Sequence, residues 1–271
     1  MVGHPAASRK DPAARFALPL LVAALLFASC ADPARQRFEA AEQALLRQEM
    51  DAALAGFRSI PREYPQSRFA PAALLRQGDL YGSFFRNYDA AIEAYDSLVY
   101  TYPQSPEAPR AILRKGEIRL RQFFSYARAA EELELLRARY PTFGEMDEAL
   151  ILLAWAYGGM EDRERQAAAL SELLARYPES PRAEEARWMQ ATLLLGEGRY
   201  PEAEAAFRRI LERAPDRQAA VRARWGIAQA LEGRGDYPAA IREYQAIRGD
   251  WEEPGYIDEK IGRLRKRKQP Y

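Results

Sequence analysis

Apolar side chains recur along this chain at intervals of three and four, and the runs are interrupted at fixed points. Tyr88, Ala91 and Tyr95 are spaced to share one helical face, and so are Tyr126, Ala129 and Leu133. The same set returns as Tyr200, Ala203, Phe207 and as Tyr237, Ala240, Tyr244. Eight residues after Phe57, Tyr95, Leu133, Leu170 and Phe207 stand Pro65, Pro103, Pro141, Pro178 and Pro215, spaced 38, 38, 37 and 37 residues apart. Thirteen residues after each proline is a small side chain: Gly78, Gly116, Ala154, Ala191 and Ala228. A small residue at a fixed phase lets two helix axes approach closely. Each period therefore predicts a helix, a short turn, a second helix and a proline-marked exit.

The turns fall at Arg86-Asn87-Tyr88, Phe124-Ser125-Tyr126, Gly198-Arg199-Tyr200 and Gly235-Asp236-Tyr237. Pro201 and Pro238 fit the first turn of a second helix, where a missing N–H costs nothing. Ser105-Pro106 and Ser180-Pro181 read as an N-cap and first helical residue of the next unit. The fourth unit departs most: Gly158 to Arg163 replaces the tyrosine-bearing turn and Gln166 takes the alanine phase, which predicts a looser or shifted turn. A fixed period near 37 makes a stacked array of helix pairs, which grows by adding units and not by adding cores.

The pattern resembles the tetratricopeptide repeat over roughly residues 34–249 and six units. The resemblance implies an all-α, right-handed α-solenoid of about six helix-turn-helix repeats. The exits Tyr64-Pro65-Gln66-Ser67, Tyr102-Pro103-Gln104-Ser105 and Tyr177-Pro178-Glu179-Ser180 look like an envelope subgroup. That subgroup includes BamD-type outer-membrane assembly lipoproteins and CpoB-type periplasmic division coordinators.

Residues 1–29 are a separate object. Arg9, Lys10 and Arg15 precede thirteen uncharged residues, Phe16 to Ala28, a run too short to span a bilayer and suited to an export signal. Leu26-Phe27-Ala28-Ser29-Cys30 resembles a bacterial lipobox, which implies cleavage before Cys30 and acylation of its thiol; an ordinary export signal with an incidental cysteine is the alternative. Ala31 after the cysteine resembles outer-membrane sorting. The expected organisation is a signal peptide (1–29), a repeat array (30–249), and a terminal helix with a basic tail (250–271). Within the last part a helix is predicted over Tyr256–Lys268, ending in Arg263, Arg265, Lys266, Arg267 and Lys268. Cations there complement the helix dipole; contact with acidic headgroups or an acidic partner is the alternative.

Charge and composition narrow the chemistry. The chain of 271 residues carries a formal net charge of +1, which gives no reason to expect nucleic acid as a partner. The sole histidine and sole cysteine precede residue 31, so a mature chain has neither a histidine nor a free thiol for a nucleophilic triad or a zinc site. The expectation is a non-enzymatic protein-binding scaffold, with no cofactor and no metal. Its expected place is the outer membrane, facing the periplasm through a lipid anchor.

Candidate groove residues follow from the family's use of its first helices. Trp188 and Trp225 share the phase of Leu75, Leu113 and Ile151, while Trp155 follows the small residue of its unit. Packing between helices is the alternative for the tryptophans, as solvation is for Arg110 and Arg222, which fall at the groove edges. The lysine and asparagine that chaperone-tail readers of this family use are replaced by apolar residues at one phase and Asp79, Glu117, Trp155, Thr192 and Gln229 at the other. On the resemblance, partners are an envelope assembly complex or unfolded outer-membrane proteins. A CpoB-like cell-wall role and a pilotin-type secretion or pilus role are the rivals.

Overall fold

The structure, a computed structural model, describes residues 32–267 together with residues 1 and 3. The rest of the proposed signal peptide, Cys30 and Lys268 lie outside the described residues. All described secondary structure is helical, and the chain divides into two compact units, Met1–Ala108 and Pro109–Tyr271.

The first unit holds two helix hairpins: α1 (Pro33–Leu46) with α2 (Met50–Glu63), and α3 (Phe69–Ser83) with α4 (Tyr88–Thr101). Asp32 starts α1 as an N-cap, its carboxylate accepting from the Ala34 and Arg35 amides. Phe57, Ile60 and Ala53 of α2 are buried, with Phe38 of α1 edge-on to Phe57 at 5.4 Å between ring centroids. The small residue of the repeat has a steric reason here. A Cβ on Gly78 would lie 2.3 Å from the ring of fully buried Tyr95, whose hydroxyl donates to Asp79 at 2.7 Å.

The second unit begins with α5 (Ala108–Arg121) and α6 (Tyr126–Arg139) and continues with α7 (Met146–Gly159), α8 (Arg163–Arg176), α9 (Ala183–Gly196) and α10 (Tyr200–Glu212). Then come α11 (Arg217–Arg234), α12 (Tyr237–Ile247) and the terminal α13 (Pro254–Arg267). Helices consecutive in sequence from α6 to α13 pack on one another. Ile257, Ile261 and Leu264 bury one face of α13 against the preceding hairpin. Tyr244 and Lys260 both donate to Glu232, at 3.0 and 2.7 Å, and tie α11, α12 and α13 together. Burial first, and Glu232 second, push the Tyr244 phenol above its ordinary range.

The turns explain the change of period. Each helix pair reverses through one residue of positive φ: Gln48, Arg86, Phe124, Glu161, Gly198 and Gly235. The first, fourth, fifth and sixth turns close with an amide bonded five residues back, as in Asp162 N–H to Tyr157 C=O at 2.9 Å. The second and third reach six back, Asn87 to Tyr81 and Ser125 to Arg119. One additional residue in those two turns makes their repeats 38 residues long where the others have 37. The structure corrects the expectation of a loose fourth turn. Glu161 takes the left-handed position at φ 59°, and Gln166 fits where alanine stands elsewhere because Gly158 leaves it room.

A second correction concerns the exits. The helices after Ser105-Pro106 and Ser180-Pro181 start at Ala108 and Ala183, three residues beyond each serine. A tight turn intervenes, closed by the Ala108 and Ala183 amides on the Ser105 and Ser180 carbonyls. The Ser180 hydroxyl accepts from the Arg182 amide at 2.9 Å, so it orders the turn and not the helix end.

Candidate functional site

Four of the second unit's helices and one turn build an aromatic-walled cleft of about 420 Å³, lined by Leu120, Arg121, Phe124, Tyr126, Trp155 and Glu185. Its central wall comes from α7, which is buried nearly all round: Ile151, Leu152, Leu153, Ala154, Ala156 and Tyr157 are all in the core. Trp155 is the exception, 48% exposed, with its indole N–H donating to Glu185 of α9 at 2.9 Å. That bond fixes the ring plane and leaves carboxylate capacity on Glu185, which also lies 3.5 Å from Arg182.

The opposite wall is the third turn. Phe124 stands at φ 51° and is 67% exposed, so a bulky aromatic holds a backbone region that favours glycine and leaves most of its ring in water. Both features oppose stability; the positive φ is the reversal that Gln48, Arg86 and Glu161 also make, and the exposed aromatic ring is what sets Phe124 apart from them. Tyr126 closes the floor. It sits over Gly159, where a Cβ would come within 2.5 Å of the ring, so the glycine is what admits the tyrosine. Beneath, Tyr157 donates to Glu134 at 2.6 Å with Arg165 stacked 4.7 Å above its ring. Burial, then the bond to Glu134, push this phenol up to about 12. The wall bearing Trp155 is therefore pinned to α6 and α8.

The other residues singled out in the sequence are dispersed. Trp188 packs edge-on against Phe207 at 5.3 Å, and Trp225 does the same against Tyr244 at 5.2 Å. Both are half-buried members of the helix interior, as Leu75, Leu113 and Ile151 at their phase are buried. Trp225 also stacks on Trp251 at 4.4 Å. Arg110 bonds Glu145 at 2.9 Å, and exposed Arg222 lines a shallow hollow with Asp250, Trp251 and Glu252. Arg263, Arg265, Lys266 and Arg267 are exposed on the end of α13, with Arg263 3.8 Å from Glu259. Trp155 alone of the groove candidates lines the cleft. Phe124 and Tyr126 were legible only as turn residues. The signal for Phe124 is the extra residue between the small position and the turn.

Among the described residues no group of three or more His, Cys, Asp or Glu side chains could hold a metal ion, and no helix is long and apolar enough to cross a membrane. The cleft offers rigid aromatic faces, one guanidinium and one carboxylate, groups suited to holding the side chains of a partner.

Sequence profiles for the tetratricopeptide repeat match residues 72–105, 151–218 and 189–254. No curated protein matches the chain. Among solved structures, a tetratricopeptide-repeat protein from Parabacteroides merdae aligns over 86% of this chain and 87% of its own, with 16% identity and a TM-score of 0.59. PilW, a type IV pilus biogenesis factor, aligns over 83% of this chain and 97% of its own, with 16% identity and a TM-score of 0.56. PilF of Pseudomonas aeruginosa aligns over 84% and 97%, with 15% identity and a TM-score of 0.56. Identities this low carry the fold and no more.

Proposed function

We propose that this chain, a tetratricopeptide-repeat protein, is a non-enzymatic scaffold of the bacterial envelope that holds an extended segment of a protein partner in the Phe124–Trp155 cleft. The observation that carries the reading is Phe124: a phenylalanine kept exposed at a backbone position that costs strain. Large aromatic faces with few rotatable bonds make good anchors for partner side chains. A cleft of about 420 Å³ has room for a few side chains of such a segment.

The finer reading follows from the N-terminal sequence. Cleavage before Cys30 and acylation of its thiol tether the scaffold to the outer membrane, where it assists assembly of outer-membrane proteins as BamD-type lipoproteins do. The anchor sets orientation and raises local concentration at the membrane. A second reading, pilus biogenesis, is favoured by the shared fold with PilW and PilF over most of this chain.

The test places a photo-crosslinking amino acid at Phe124 in native membranes, with the same label at Arg222 and a Cys30→Ala chain as controls. Capture of a barrel-assembly protein from position 124 alone, weakened by Cys30→Ala, supports the assembly role. Capture of a secretin or pilus protein selects the second reading. Equal capture from 124 and 222 removes the cleft as the binding site.

A further inference from the structure

We propose that the first hairpin carries a binding surface for acidic phospholipid headgroups at the end nearest the anchor; this rests on the acylation of Cys30 proposed above. Only Ala31 separates Cys30 from the Asp32 N-cap. Three residues of fully extended chain reach at most roughly 11 Å, so an acylated Cys30 holds the start of α1, at Pro33, that close to the bilayer. The same end of the hairpin contains the C-terminus of α2, because Arg37 of α1 bonds Glu63 at 2.5 Å and lies 3.4 Å from the Ser59 hydroxyl.

On that end the outer face of α2 forms an open hollow of about 460 Å³, lined by Ala55, Arg58, Ser59, Arg62 and Glu63. Arg58 and Arg62 are exposed and one helical turn apart, an arrangement in which like charges repel. Elsewhere in this unit Arg35, Arg37, Arg47 and Arg76 are each matched to a glutamate, and among the described residues exposed Arg86 stands alone at the opposite end. Arg58 and Arg62 have no ion pair among the described residues, and the one carboxylate in their hollow, Glu63, is already bonded to Arg37. Arg68, exposed just past the α2 C-cap, adds a third such cation, lying 5.0 Å from the Phe69 ring. Two forks of donors suit a phosphodiester, which guanidinium groups bind in bidentate fashion, while the Ser59 hydroxyl is engaged within its own helix, donating to the Gly56 carbonyl at 2.8 Å. The surface potential of acidic lipids reaches about one Debye length, roughly 8 Å, and the tether holds the start of α1, beside the end of α2, to within roughly 11 Å of the bilayer.

The experiment uses the mature chain from residue 30 carrying Cys30→Ala, so that no lipid masks the contribution of the patch. Flotation compares vesicles of phosphatidylglycerol and phosphatidylcholine with vesicles of phosphatidylcholine alone. Each arginine near an acidic surface contributes about fivefold to partitioning, so Arg58→Gln with Arg62→Gln lowers binding to the acidic vesicles on the order of 25-fold. Arg86→Gln, an exposed arginine at the far turn of the same unit, serves as control and leaves binding unchanged. Circular dichroism of each variant confirms that the helices persist. Equal flotation of the double variant and the parent overturns the proposal, as does equal binding to both vesicle types. Saturable binding of inorganic phosphate that displaces the protein from neither vesicle overturns it too. Mass spectrometry of the N-terminal peptide from native membranes reports acylation separately: an unmodified Cys30 defeats the anchor reading, whatever the vesicles show.

Discussion

Replacing Phe124 by alanine and, separately, by glycine divides what the ring contributes from what the backbone costs. With 67% of the residue exposed, about a third of a phenylalanine's roughly 200 Å² is buried, about 65 Å², which corresponds to about 1.6 kcal/mol. Both substitutions lose that burial. Alanine keeps the unfavourable φ of 51°, whereas glycine adopts it freely and gives back about 1 kcal/mol. The expected order of stability is therefore parent, then Phe124→Gly, then Phe124→Ala, with the two variants separated by about 1 kcal/mol. Urea unfolding followed by circular dichroism measures the separation as a shift of midpoint at unchanged slope. Partner capture by the cleft falls to the same level in both variants, because both lack the ring. Coincident midpoints for alanine and glycine would refute the argument that Phe124 is held against a backbone cost.

Tyr157 supplies a pH dependence. Its folded pKa of about 12 lies above the ordinary 10, so its contribution is fully present below pH 10 and is lost as pH rises from 10 through 12. A two-unit shift corresponds to about 2.7 kcal/mol at most; Tyr157→Phe flattens that part of the alkaline unfolding curve, and a curve identical to the parent's would contradict the assignment. Gly78→Ala gains up to about 1 kcal/mol of helix propensity but drives a methyl into Tyr95, an overpacking cost of about 1–3 kcal/mol. The net expectation is a destabilisation of about 1 kcal/mol in thermal melts, and a more stable variant would show that Tyr95 can move aside. Tyr244→Phe removes the bond to the Glu232 carboxylate and costs about 1.5–3 kcal/mol. Hydrogen exchange then rises in α13, which the same carboxylate holds through Lys260; unchanged protection of α13 argues against that link.

Much of the fold was legible because helix packing repeats itself. The interval from Gly78 to Tyr95, or from Gly116 to Leu133, encodes a close helix crossing directly, and the glycines do sit against those side chains. Turn geometry was less legible. Proline spacing revealed that two repeats are longer, but not that the extra residue lies before the left-handed position, nor that Glu161 serves there as well as Gly198 does. The serines at the exits misled for a related reason: Ser-Pro is as compatible with a tight turn before a helix as with a helix N-cap. Of the tryptophans, Trp188 and Trp225 share the phase of buried Leu75, Leu113 and Ile151 and are half-buried there, whereas Trp155 stands one position beyond the small residue Ala154 and emerges.

By itself the sequence determined the period, the number of helix pairs, the buried faces and the small residues that let helices close on one another. Those are consequences of spacing along one chain, since residues three and four apart on a helix must share a face. The cleft was decided only in three dimensions. Trp155 and Glu185 are thirty residues apart in sequence, Phe124 and Trp155 thirty-one, and no periodicity relates an exposed ring to a carboxylate two helices away. Stacked repeats bring such positions to one surface after the core has formed, and surface positions are free of the packing constraint that makes core positions periodic.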